Sequence, residues 1–312
     1  ERMKYMPHRE PRKSPELQIL SHLNSRMDLS PHDKKNLHNL EKGYEGEWKF
    51  FHLLEKELHS KCIRLFSLQL ESNQTEFQID NLLIYQNTIH INEIKNFEGD
   101  FFIKDDMWYA VDSRKEIRNP MLQLQRSEFL LRQLLQQIGV NFQVVARLVF
   151  VNPSFTLYQA PFEKALVFPT QLNRYMQKLN KIPSKLTTRH GEFAEDLIAR
   201  HFENSLRERL PEYDYNQLQK GVICSSCNGL MSMFNKIRLR CKRCSKKENI
   251  KEAVMRSVRE FNLLFPNQQI TTNIIYDWCN VVSSKKTIRR ILIENMVHVG
   301  NGRGSYYIFQ TK

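Results

Sequence analysis

Long apolar runs are missing from this sequence: the longest span only a few residues, far short of the roughly 18 to 20 a bilayer-crossing helix needs. The opening ERMKYMPHREPRKSP has no apolar stretch of the signal-peptide kind. Together these absences set aside membrane-embedded and exported classes, and a cytoplasmic location is expected. No internal repeat stands out, and no segment is of low complexity beyond the first 15 residues, which are basic and hold three prolines. Acidic residues are scarce in the last third. From Lys220 to Lys312 there are 17 Lys or Arg against 5 Asp or Glu, a balance of +12 out of a net +13 for the whole chain. A block so lopsided predicts a polyanionic partner, nucleic acid being the commonest. What remains is a 312-residue chain with 41% apolar side chains, enough for a sizeable core and about two domains, with room for a small third.

Cysteine is sparse too, yet four of the six residues fall in one pattern. Cys224, Cys227, Cys241 and Cys244 form two CxxC pairs separated by thirteen residues. In a reducing compartment that spacing predicts a closed four-thiolate zinc site of structural role, with the interior stretch NGLMSMFNKIRLR as a pair of short strands. Cys62 and Cys279 lie in apolar surroundings and are expected in the core.

Periodicity predicts an α/β organisation. GYEGEWKFFHLLEKELHS carries Trp48, Phe51, Leu54 and Leu58 near helical spacing, for a helix over about 44–59. Strands follow near 62–70, 76–85, 88–95 and 99–111. A helix runs from Pro120 to about Gly139, then comes the strand FQVVARLVFV. Further helical patterning covers 184–210. After the cysteines, residues 251–312 read as three helices and a two-stranded, glycine-tipped hairpin, the order of a winged helix. The expected domains are an arm over 1–30, an α/β domain over 31–182, a helical connector over 183–219, a zinc ribbon over 220–248 and a winged-helix-like unit over 249–312.

The hairpin FQIDNLLIYQNTIHINEIKNFEGD would be a simple buried ladder were it not for Asp80, Glu93 and Lys95. Side chains alternate along a strand, so Glu93 and Lys95 share a face while Ile94 points the other way, and Asp80 on the neighbouring strand can sit beside them. Converging carboxylates repel unless they hold a cation or share a proton. An all-oxygen pair suits Mg²⁺ or Mn²⁺, and the lysine supplies positive charge where a phosphate gathers negative charge. The plainer reading is a turn-capping Asp80 with a Glu93–Lys95 ion pair on the surface. His90 is read as an ordinary face residue of the strand, not as a base.

Four short motifs occur in order: GYEGE with Gly43, Gly46 and Glu47, QID ending at Asp80, EIKNFEG from Glu93, and NPMLQ from Asn119 to Gln123. The set, over about residues 30–150, resembles the nuclease-related domain, a family grouped with the PD-(D/E)xK nucleases. That resemblance implies a mixed sheet flanked by helices and metal-dependent phosphodiester hydrolysis. Asp80 and Glu93 would hold Mg²⁺ or Mn²⁺, Lys95 would act as the electrostatic or base residue, and Glu47 and Gln123 would support the metal or the attacking water. Glu98 and Asp100 have no assigned part.

The basic third would then deliver the nuclease to DNA, with structural Zn²⁺ in the ribbon. Lys285, Lys286, Arg289 and Arg290 face outward on the third helix of the last unit, as a groove-entering helix requires, and Arg303 sits at the wing tip. Duplex DNA is the expected partner, with a protein that activates or restrains cutting and a role in defence against foreign DNA as further expectations. A non-catalytic DNA-binding regulator and an RNA-processing nuclease are the competing readings.

Overall fold

The computed structural model describes residues 6–162, 165–202 and 210–310, apart from the side chain of Arg303. The chain divides into two compact units, one from residues 1–15 and 38–205, the other from 16–37 and 206–312. Among the described residues no helix is long and apolar enough to cross a membrane.

Two helices come first, α1 (Pro15–Asn24) and α2 (Pro31–Glu57). Part of the stretch expected as an arm is therefore helical, because Leu17, Leu20 and Leu23 recur at three-residue spacing and are buried. Helix α2 starts well before Tyr44. Ser30 Oγ accepts the Asp33 N–H at 3.1 Å, and Pro31 takes the first helical position, where a missing N–H costs nothing.

In the first unit, β1 (Ile63–Ser72), β2 (Thr75–Ile84) and β3 (Thr88–Lys95) form an antiparallel meander. β4 (Gly99–Lys104), β5 (Met107–Ala110) and β6 (Glu116–Ile117) follow, then α3 (Pro120–Gln137), β7 (Gln143–Phe150), β8 (Phe155–Tyr158) and β9 (Leu166–Val167), and finally α4 (Leu172–Asn180) and α5 (Thr188–Ala199). One sheet has the order β1-β2-β3-β7-β9, with β7 and β9 parallel to β3; another has the order β6-β5-β4-β8. The strand expected over 99–111 is split into β4 and β5. Asp105 and Asp106 both have positive φ, the tight hairpin geometry that short polar side chains tolerate. The helix expected over 184–210 covers Thr188–Ala199, and residues 203–209 lie outside the described residues.

Two cores cover the two faces of the five-stranded sheet. Ile89, Ile91, Val144, Ala146 and Leu148 pack with α3 and α5, while Leu83, Ile94, Val149 and Val151 pack with Phe50 and Leu54 of α2 and Met176 and Leu179 of α4. The strands are thus buried on both sides, which explains their nearly unbroken apolar runs. Arg9 lies along the outer edge of β1: its N–H donates to Arg64 O at 3.1 Å, and its carbonyl accepts the Phe66 N–H at 2.9 Å.

The second unit contains α1 and a three-stranded sheet of β10 (Met231–Asn235), β11 (Arg238–Cys241) and β12 (Lys247–Asn249). Helices α6 (Ile250–Leu264), α7 (Thr272–Cys279) and α8 (Lys285–Asn295) follow, and then the pair β13 (Val297–Val299) and β14 (Tyr306–Ile308). Ile270, between α6 and α7, bridges Tyr307 of β14. The centre of this unit is a buried ion pair. Arg26 donates to both Glu260 oxygens at 2.8 and 2.7 Å and to the carbonyls of Gln219 and Gly221, and its guanidinium lies 3.8 Å from the Trp278 ring centroid.

Candidate active site

Strands β1 and β2 keep one register from Ile63↔Ile84 to Ser72↔Thr75, except that Ser67 and Asp80 face each other unpaired. Ser67 has φ of 50°, and the alternation slips there: Leu65, then Leu68 and Leu70, belong to the same core. β2 slips in step, from Phe77 and Ile79 to Leu82 and Ile84. The β2–β3 ladder ends at Asn81↔Asn92, so Asp80 and Glu93 oppose each other one step beyond it. In place of a ladder bond, Asp80 Oδ2 accepts the Ile94 N–H at 2.9 Å, and Oδ1 accepts from Gln78 at 3.2 Å.

Lys95 donates to Glu93 at 2.7 Å and to Gln123 Oε1 at 3.0 Å. Gln123 is held in place by the start of α3: Asn119 caps the helix by accepting the Met121 N–H at 2.9 Å, Pro120 follows, and Gln123 comes one turn in. Glu47 approaches from α2, where its carboxylate accepts from Ser67 Oγ at 2.5 Å. Gly46 permits that approach, since a Cβ there would lie 2.8 Å from the Asn96 Cβ. A Cβ at Gly43 would meet nothing within 4 Å. The Glu93–Lys95 ion pair foreseen by the plainer reading does exist, but not at the surface: Asp80 is 7% and Glu93 3% exposed. Glu98 does lie at the surface, paired with Lys42 at 2.5 Å.

Burial without full compensation raises the proton affinity of all three acids. Glu93 is pushed up to about 8, by burial first and by the Asp80 charge second. Asp80 is raised by burial despite Lys95 and the Ile94 N–H, and Glu47 is raised well above the usual carboxylate range by burial and then by Asp80. Burial would lower Lys95, but the charges of Glu93 and Asp80 overcome it and raise the amine. An acid pair of this kind fits a divalent cation, which would substitute for the excess protons. Among the described residues the only three or more ligand atoms lying within 4.8 Å of one another are the four thiols, so Glu47 does not close into one shell with Asp80 and Glu93.

The thiols do form a shell. Cys224 and Cys244 sulfurs are 3.7 Å apart and those of Cys227 and Cys241 3.4 Å, near the roughly 3.8 Å edge of a tetrahedron with ~2.3 Å zinc–sulfur bonds. Backbone N–H groups of Ser226, Arg243 and Cys244 point at Cys224 and Cys241 sulfurs, and a Cβ at Gly229 would lie 3.3 Å from the Cys241 sulfur. The donor set fits Zn²⁺. All four cysteines are free thiols, as is Cys279, which is buried; Cys62 is half-buried.

In α8, Ile288, Ile291 and Leu292 are buried while Lys285, Lys286, Arg289 and Arg290 are exposed. Lys285 contacts Asn273 at 2.9 Å, and Arg290 lies 3.9 Å from Glu294. The side chain of Arg303 lies outside the described residues. His90 is buried, held down to about 4 by burial and by Arg147, away from the acids. Sequence reading missed Ser67 and Gln78, although the breaks in alternation at LFSLQL and QIDNLL marked both. It also missed Arg118, exposed and near enough for its charge to act on Lys95.

An opposed acid pair and a lysine thus stand together on a mixed sheet between helices. Residues 42–153 match the family model described as nuclease-related domain, and the chain contains that domain. No curated protein matches the sequence. Among solved structures, Can2 from Sulfobacillus thermosulfidooxidans in complex with cyclic tetra-adenylate is 11% identical at a TM-score of 0.30, covering 54% of this chain and 51% of that one. Protein VC1899 from Vibrio cholerae is 15% identical at 0.23, covering 54% and 50%. This chain therefore spans about half the length of each.

Proposed function

We propose that the chain is a metal-dependent nuclease that hydrolyses DNA, with the basic second unit as its address. The observation that carries this reading is the buried Asp80–Glu93 pair with Lys95 against it. Asp80 and Glu93 would hold Mg²⁺ or Mn²⁺, which when bound polarises a phosphodiester and orders a water beside it. Lys95 then balances charge gathering on the phosphate, Gln123 fixes the lysine, and Glu47 holds a proton at the back of the site. In the second unit, Zn²⁺ on Cys224, Cys227, Cys241 and Cys244 would lock the ribbon. The α6–α8 helices, the Ile270–Tyr307 bridge and the β13–β14 pair support a winged helix. Lys285, Lys286, Arg289, Arg290 and Arg303 would meet the duplex. Ribbon cations such as Arg238 and Lys242, all exposed, would add phosphate contacts without reading sequence.

A second reading is a binding protein with a silent site, favoured by Glu47 standing outside the shell of Asp80 and Glu93. One experiment separates the two: purified protein is incubated with linear and circular, single- and double-stranded DNA and with RNA, with and without Mg²⁺ or Mn²⁺. Metal-dependent cutting of DNA is expected, abolished in Asp80→Ala and Glu93→Ala at nearly unchanged DNA affinity. Wild-type rates in either variant would sink the assignment, and cutting of RNA alone would change the substrate. Replacing Lys285, Lys286, Arg289 and Arg290 by Ala should flatten the dependence of log affinity on log salt by roughly 0.9 per lost phosphate contact.

A further inference from the structure

The sheet face opposite Glu93 and Lys95 carries a site of different character. A cavity of about 630 Å³ opens there, lined from β3, β7, β9 and α4, within the range that holds a small-molecule ligand. Tyr175 of α4 marks the side: its hydroxyl donates at 2.6 Å to Asn92, the neighbour of Glu93 that points the other way along β3.

Three cations line the cavity, Arg147 of β7 and Arg174 and Lys178 of α4, and no Asp or Glu lines it among the described residues. The Arg147 guanidinium donates to the carbonyl of its neighbour Ala146 at 2.8 Å, and among the described residues none of the three cations makes an ion pair. Positive charges gathered in one concavity repel each other and focus the field outward, which an anion relieves. His90 also lines the cavity, 8% exposed, and its Nδ1 has no hydrogen-bond partner. A buried polar atom left in that state is unfavourable. The Gln171 Oε1 is occupied by the Phe168 N–H at 3.3 Å, which leaves the amide nitrogen of Gln171 free to donate. The remaining wall, with Phe168 and Ile182, is apolar.

We propose that this cavity binds a phosphorylated small molecule carrying a flat ring, of which a 5′-nucleoside phosphate is the simplest form. Arg147, Arg174 and Lys178 take the phosphate. The apolar wall takes the ring, and Gln171 offers a hydrogen bond to its edge. The site is independent of the cutting reaction, and it stands whether or not Asp80 and Glu93 serve catalysis.

Isothermal titration calorimetry of the full chain without added divalent metal tests this, using the four 5′-nucleoside monophosphates, ADP, ATP, pyrophosphate and adenosine as probes. At least one nucleoside phosphate should bind saturably at one per chain, at least tenfold tighter than pyrophosphate and adenosine. Arg174→Ala combined with Lys178→Ala, both at exposed positions, should weaken that binding at least tenfold. Arg147→Gln, on a different element, should do so independently, and Asp80→Asn should bind as the wild type does. Absence of saturable binding by every nucleoside phosphate overturns the proposal. Pyrophosphate binding as tightly as ADP overturns the assignment of the ring. Unchanged affinity in both cavity variants places the binding elsewhere and overturns the site.

Discussion

Glu260 in the second unit and Glu93 in the first are each 3% exposed, yet they hold their protons in opposite ways. Burial alone would raise Glu260, but two hydrogen bonds from Arg26 and one from His22 draw it down to about 2. Glu93 has one bond from Lys95 and faces a second acid, and it rises to about 8. The same residue type at the same depth is a structural anchor in one unit and an under-compensated acid in the other. The number of donors aimed at the carboxylate decides which.

Arg26→Ala breaks the anchor and should have the largest effect, a loss of about 3–5 kcal/mol in denaturant unfolding followed by circular dichroism, because Glu260 stays buried without its cation. Replacing Arg26 and Glu260 together by Met should cost far less. A loss as large in the double variant would mean that packing, not the ion pair, carries the stability.

Next in size is the pH dependence, which should run in opposite directions for the two acids. Glu93 has a raised folded-state pKa, so between about pH 4.5 and 8 the folded chain holds a proton the unfolded chain has released, and stability falls as pH rises. Relative to Glu93→Gln, wild type should lose up to about 1.4 kcal/mol per pH unit in that window. Mn²⁺ should restore the loss in wild type alone. Glu260 has a depressed pKa; its contribution is complete above about 4.5 and lost as pH falls toward 2. Parallel melting profiles of wild type and Glu93→Gln across pH 5–8 would remove the distinction.

Smaller still, Gly46→Ala should cost about 1–3 kcal/mol through overpacking against Asn96, whereas Gly43→Ala, with open space around it, should be neutral or slightly stabilising by thermal melting. Glu98→Ala should leave thermal stability nearly unchanged, as an exposed pair with Lys42.

The acid–lysine constellation could be read in the sequence because it rests on short-range rules: strand alternation, and a cap, proline and glutamine within one turn of α3. The slip at Ser67 was written in the same alphabet, as Leu65 followed by Leu68, but it breaks the alternation on which the strand reading relied. α1 was missed since prolines and charge in the first 15 residues outweighed the Leu17, Leu20 and Leu23 spacing. Arg26 and Glu260 meet across 234 residues, and nothing local to either marks the other. His90 is set on the other face of β3 from Glu93, its ring packed edge-on against Tyr85, beside the cavity lined by Arg147.

The contact of Arg9 with β1 bears on how the molecule behaves among its own copies. A bare outer strand offers a row of unpaired amides and carbonyls on which a second chain can lay its own strand, and sheets grow into aggregates that way. Arg9 pairs with that edge through its backbone, and its guanidinium covers the Phe66 carbonyl at 3.0 Å. A single residue of a basic, proline-bearing segment thus fills part of the edge on which the strand of a second copy would otherwise pair, and its buried guanidinium is spent on that edge.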